Sequence, residues 1–185
     1  MDRTLRTLLV VVAIGAIGYT AYRSWFRMQA MFWHWRYGYS TTLGEYVVPV
    51  PRHWLVQTHA DEQLIDLVDT RATRDAGPFA EVSVVSVDLA SSSVRDLTYW
   101  KSLKKQSLER EGVRDIEERT LDVAGDTVVC LGGDELRQDL KVPGITALSL
   151  ECVSTSRLNV MFLGPRSGLT DFYSILSGIH RRPSS

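Results

Sequence analysis

Sixteen residues without a charge, Thr7 to Tyr22 (TLLVVVAIGAIGYTAY), sit between Arg6 and Arg23 near the start of the chain. Extended from Leu5 to Phe26 as a helix, the segment is about 33 Å long at 1.5 Å per residue. That length spans a bilayer hydrocarbon core of about 30 Å. Only Arg6 and Arg23 then need to reach the headgroups with their long side chains. The reading is a single transmembrane helix acting as an uncleaved signal anchor. A cleaved signal peptide shares the basic start (Arg3, Arg6) and the apolar run, but the exit, YTAYRSWF, lacks a small-x-small cleavage site. Gly15 and Gly18, with Ala13, Ala16 and Ala21, leave room for close helix contact, or are simply the small residues that such helices favour.

The next stretch, Arg23 to Tyr39 (RSWFRMQAMFWHWRYGY), is dense in aromatics. Trp25, Phe26, Met28, Phe32, Trp33, Trp35 and Tyr37 are interleaved with Arg23, Arg27 and Arg36. Trp and Tyr prefer the headgroup level of a membrane, and Trp25, Met28, Phe32 and Trp35 recur at helical spacing. These residues are the expected membrane or partner interface: a helix lying on lipid, or a docking face for other integral subunits. His34, between Trp33 and Trp35, is either an ordinary interfacial side chain or a ligand for a haem or chlorophyll metal.

Charge divides the chain in the same place. Residues 1–40 hold five arginines against Asp2, a balance of +4; the rest holds 16 basic and 21 acidic residues, a balance of −5, which together give the net −1. A cationic start suits anionic lipid. An acidic remainder argues against nucleic acid as a partner.

Residues 41–182 read as one soluble domain after a 1–40 anchor and interfacial segment. Gly44–Pro51 is extended and broken by prolines. Gln63–Thr70 and Phe79–Asp88 alternate as strands, with a polar loop over 71–78. A helix starts at Ser93, with Asp96 as its capping-box partner. Its inner stripe is Leu97, Trp100, Lys104, Ser107 and Leu108, and Gly112 ends it. Ile116–Val123 and Thr127–Leu136 form a hairpin about a Gly125-Asp126 turn. Thr146–Ser154 and Arg157–Gly164 are further strands, after a turn at 141–144. Leu169–Ile179 is a closing helix with Leu169, Phe172, Leu176 and Ile179 on one stripe. The expected fold is therefore α+β: a single N-terminal transmembrane helix followed by an antiparallel β-sheet packed with two helices.

Cys130 and Cys152 are the only cysteines. If the strands flanking residues 141–144 pair antiparallel, opposed residues sum to a constant, and 130 plus 152 centres the turn on Lys141. Opposed residues have Cβ atoms about 4.5–5.5 Å apart, close to bridging distance. A disulfide is expected in an oxidising compartment, and two buried thiols in a reducing one.

The four histidines (His34, His53, His59, His180) have no zinc spacing with either cysteine. No nucleophile elbow, P-loop or dinucleotide fingerprint occurs. Gly132-Gly133 marks a bulge or a close backbone approach. No catalytic residue, cofactor or metal is assigned.

The soluble pattern resembles the PsbP-like fold, named for extrinsic proteins of the photosystem. The resemblance rests on Pro49-x-Pro51-x-x-Trp54, on the Val123-Ala124-Gly125 hairpin leading into Thr127–Leu136, and on the last strand with Phe172-x-x-Ile175-Leu176. His53 stands where that family carries Gly before Trp. The resemblance implies a binding or assembly module without catalytic groups. The expected function is a non-enzymatic, membrane-anchored accessory or assembly subunit of a larger membrane complex, photosynthetic or respiratory. The alternative is a stand-alone tethered envelope domain that binds a ligand or acts as a chaperone. Partners are membrane lipid and other integral membrane subunits. The signal-like start places the chain in the cell inner membrane as a single-pass protein with its C-terminal domain periplasmic.

Overall fold

The computed structural model describes residues 24–58, 63–71, 84–89, 94–136 and 146–183. The uncharged run Thr7–Tyr22 lies outside these, as do Ser93, most of the 71–78 loop, the first half of the 79–88 strand and the 141–144 turn. Among the described residues no helix is long and apolar enough to cross a membrane.

The first helix, α1, covers residues 24–37. Strands β1 (Ser40–Leu43) and β2 (Tyr46–Pro49) follow as a hairpin, and β10 (His180–Arg181) adds to the far side of β2, making a small antiparallel sheet. The sequence shows only one extended segment here; the hairpin turn at Gly44 needs its positive φ of 57°. The main sheet contains β3 (Trp54–Thr58), β4 (Leu64–Asp69), β5 (Val84–Leu89), β6 (Arg114–Val123), β7 (Asp126–Leu136), β8 (Thr146–Ser154) and β9 (Leu158–Gly164). Its order is β3-β4-β5-β9-β8-β7-β6, and every neighbouring pair is antiparallel. The α+β class and the antiparallel sheet are as expected.

Strand alternation explains the layers. Trp54, Leu67, Val87, Val160, Phe162, Leu150 and Val128 point to one face and are fully buried. Onto that face pack α3 (Leu169–Gly178), through Phe172, Ile175 and Leu176, and the small sheet, through Leu43, Tyr46 and Val48. The Phe162 and Phe172 rings lie 5.1 Å apart. α2 (Leu97–Arg110) sits against β7, with Leu108 and Leu131 both buried. Lys104 of α2 pairs with Glu151 at 2.8 Å, and Lys101 pairs with Glu118. β6, an edge, carries Glu117, Glu118, Arg119 and Asp122, charges that oppose pairing with a foreign strand.

Two local expectations are corrected and a third is met. The cap of α2 is Asp96 rather than Ser93: its carboxylate accepts from the Tyr99 amide at 3.0 Å, so the helix starts at Leu97. The β6–β7 turn is Ala124-Gly125, one residue earlier than expected; Val123 opposes Asp126, and both turn residues have positive φ, 56° and 82°. The two glycines of β7 serve both uses foreseen for them. A Cβ on Gly132 would lie 1.9 Å from the Ser149 carbonyl oxygen, and Gly133 faces the β6 bulge between Arg114 and Glu117.

Cys130 opposes Cys152 in the β7–β8 register, and the two form a disulfide with Cα atoms 3.9 Å apart. Every opposed pair along this ladder sums to the constant that the sequence requires, from Val128 with Ser154 to Leu136 with Thr146.

Candidate functional site

The helix α1 has two apolar faces with different fates. On its inner face Ala30 and His34 are buried and Trp33 packs against the domain core. Ala30 is small enough to let the helix backbone approach the domain. His34 fixes the end of the helix: Nδ1 lies 2.8 Å from the Gly38 carbonyl oxygen and Nε2 3.1 Å from that of Pro51. Its ring stacks on Tyr39 at 4.8 Å and meets Trp33 edge-on at 5.2 Å. Gly38, at φ 82°, returns its amide to the His34 carbonyl at 2.9 Å and closes the helix in a left-handed cap. The Val50 amide donates to the Tyr39 carbonyl at 2.8 Å, so the chain leaving α1 is tied at once to the turn before β3.

The outer face is the stripe expected from spacing. Trp25 is 55% exposed, Phe32 68% and Trp35 86%, with Met28 half-buried among them. Met31, 67% exposed, joins this surface although its spacing was not singled out in the sequence, and Tyr39, past the end of the helix and stacked on His34, is 62% exposed. Met31 falls one helical turn before Trp35, which was signal enough to find it. Of the remaining interface residues, Phe26 lies at the boundary between the faces. Tyr37 is exposed but holds Trp33 at 5.5 Å and lies under the Arg36 guanidinium at 5.4 Å. Trp33 turns inward, leaving part of its ring outside. The helix carries Arg27 and Arg36 and no acidic residue.

Among the described residues, several ionisable groups elsewhere pair across elements. Arg71 bonds Asp69 through Nε and Nη2 and also reaches Asp171 of α3. Arg166 joins Asp134 of β7 to Glu117 of β6, and Arg181 joins Asp126 at 2.7 Å. Asp88 has its pKa raised, first by burial and then by the charge of Glu151, with a hydrogen bond to Asn159 acting the other way. The Tyr173 hydroxyl is likewise pushed up by burial, while Arg119, 4.3 Å from its ring, acts in the opposite sense. His53 uses its carbonyl to hold Thr70, and His180 is exposed; His59 lies outside the described residues. Among the described residues no group of three or more His, Cys, Asp or Glu side chains is placed to hold a metal.

No family model matches the chain, and no curated protein does. Among solved structures it is similar to cyanobacterial PsbP (CyanoP) from Synechocystis sp. PCC 6803, determined in solution. The identity is 17%, the TM-score 0.45, and the match covers 78% of this chain and 91% of that one.

Proposed function

We propose that the chain is a membrane-tethered, non-enzymatic accessory or assembly subunit of a larger membrane complex. The observation that carries this reading is the rigid seat of α1. The helix that follows the uncharged run is locked to the domain core through Ala30, Trp33 and His34. An anchor in the preceding run therefore reaches the domain through a seated helix, instead of a loose tether. A fixed presentation suits a subunit that contributes surface. The paired charges of the domain serve as ties between elements, which also fits a structural part.

The domain belongs on the extracytoplasmic side in this reading, with the chain a single-pass inner-membrane protein. The buried Cys130–Cys152 disulfide supports that side, because such bonds persist in oxidising compartments.

Two experiments test the proposal. In blue-native electrophoresis of membranes dissolved in mild detergent, the tagged full chain should migrate in a species far larger than its 20.8 kDa. Migration as the free chain alone refutes subunit membership. Protease added to intact spheroplasts should digest the domain; protection until lysis reverses the topology.

A further inference from the structure

We infer that the outer stripe of α1 is a lipid-contact surface that seats in the headgroup layer of an anionic bilayer, so that α1 is sandwiched between membrane and domain. The inference rests on the tethered reading above and identifies what the stripe touches. Three observations carry it. First, the exposed side chains, Trp25, Met31, Phe32 and Trp35, lie opposite the face that Ala30 and His34 bury. A surface on that side meets the stripe without displacing the domain. Second, large apolar side chains flanked by Arg27 and Arg36 with no acid on the helix fit an interfacial helix, whose cations meet lipid phosphates. The rest of the chain is net acidic at −5, from 16 basic and 21 acidic residues, so cationic character is concentrated on the membrane-proximal side. Third, Tyr37 and Tyr39 at the end of the helix are exposed rings with a polar tip, the side chains that favour the boundary between lipid and water.

Tryptophan positions make the test direct. The chain has five tryptophans, and the first is Trp25, so the uncharged run contributes none. Trp54 is fully buried, Trp33 faces inward and Trp100 lies on α2. The full chain is reconstituted into vesicles of phosphatidylcholine with and without phosphatidylglycerol, with brominated acyl chains as the quencher. Tryptophan emission should be quenched in the vesicles that contain phosphatidylglycerol, and Trp25→Phe/Trp35→Phe should lose most of that quenching. Trp33→Phe should keep it. Arg27→Gln/Arg36→Gln should reduce quenching in the anionic vesicles to the level in phosphatidylcholine alone. A thermal midpoint equal to that of the parent chain shows that each variant is folded. If the chain floats with the vesicles but Trp25 and Trp35 are not quenched, the inference is overturned while the tethered reading stands; the stripe is then a protein-docking face. Equal quenching in both vesicle types overturns the anionic preference. If the chain does not float with vesicles at all, the tethered reading fails and the inference with it.

Discussion

Removing the Cys130–Cys152 bridge should cost about 3 kcal/mol of stability. The two residues are 22 apart. In the chain-entropy model, closing a loop of that size removes roughly 11 cal/mol/K from the unfolded ensemble, or about 3 kcal/mol at 25 °C. The native contribution is small by comparison, because β7 and β8 are already held by their backbone ladder from Val128 to Leu136. For a domain of residues 41–182 the unfolding entropy is about 0.3 kcal/mol/K, so the midpoint should fall by about 10 °C. The assay compares the oxidised chain, the same chain reduced, and Cys130→Ala/Cys152→Ala, each full-length in detergent and followed by near-UV circular dichroism through a urea titration. Reduction isolates the cross-link. The double variant adds about 1 kcal/mol for each small void that it leaves in a core where both side chains are buried. With a slope of about 2 kcal/mol/M, reduction should move the urea midpoint down by about 1.5 M. A reduced midpoint within about 0.2 M of the oxidised one, well below that expectation, would refute the entropy argument. It would mean that the unfolded chain keeps these strands together without the bond. Maleimide trapping of free thiols in intact cells checks the compartment, and complete labelling there would place the domain in a reducing one.

Four further outcomes follow from the geometry. Gly132→Ala should destabilise the sheet by about 3 kcal/mol or more, since the added methyl meets the β8 backbone, which cannot give way as a side chain can; an unchanged urea midpoint counts against the close approach. Ala124→Asn should stabilise by up to about 1 kcal/mol, because Ala124 is held at φ 56° in a turn that Asn-Gly forms readily; a lowered melting temperature contradicts the turn type. Burial raises the pKa of Asp88, so its charged form opposes folding at neutral pH, a penalty present above the folded pKa and gone below the ordinary value of 3.8. Asp88→Asn should therefore raise the midpoint at pH 7 and help less at about pH 3.5, and equal gains at both pH values reject that origin. His34→Ala should loosen α1 and speed amide exchange at Gly38 and Val50; unchanged protection would show that the helix is seated without the imidazole.

Much of the fold after α1 was legible because period-two alternation survives wherever one sheet face is buried and the other is not. Thr146–Ser154 shows this: Leu148, Leu150 and Cys152 turn into the core while Ser149 and Glu151 turn away. The α2 stripe was legible for the corresponding helical reason. The small sheet was not. β1 and β2 are four residues each and β10 is two, too short for alternation to register, and β10 is joined to β2 only by the return of the chain after α3. The shifts at Asp96 and at Ala124-Gly125 have a common source. Several polar or small residues in a row can each cap or turn, and backbone geometry selects one of them.

The candidate site was half legible for a different reason. Periodicity shows that residues 24–37 form a helix with apolar side chains, but these line both faces. Trp25, Met28, Phe32 and Trp35 form one stripe; Phe26, Ala30, Trp33 and Tyr37 form another at the same spacing. Hydrophobicity cannot choose between them, since each stripe carries three aromatic rings and the outer one adds Met28 where the inner one has only Ala30. What distinguishes the inner face is the least apolar feature of the segment. Ala30 lets the helix backbone come close to the domain, and His34, one turn on, has the Gly38 and Pro51 carbonyl oxygens beside its two ring nitrogens, so that its ring N–H finds an acceptor whichever nitrogen carries it. An imidazole buried in lipid would leave those nitrogens without partners, which costs free energy. Directing His34 into the domain satisfies it and leaves the larger aromatic stripe facing outward.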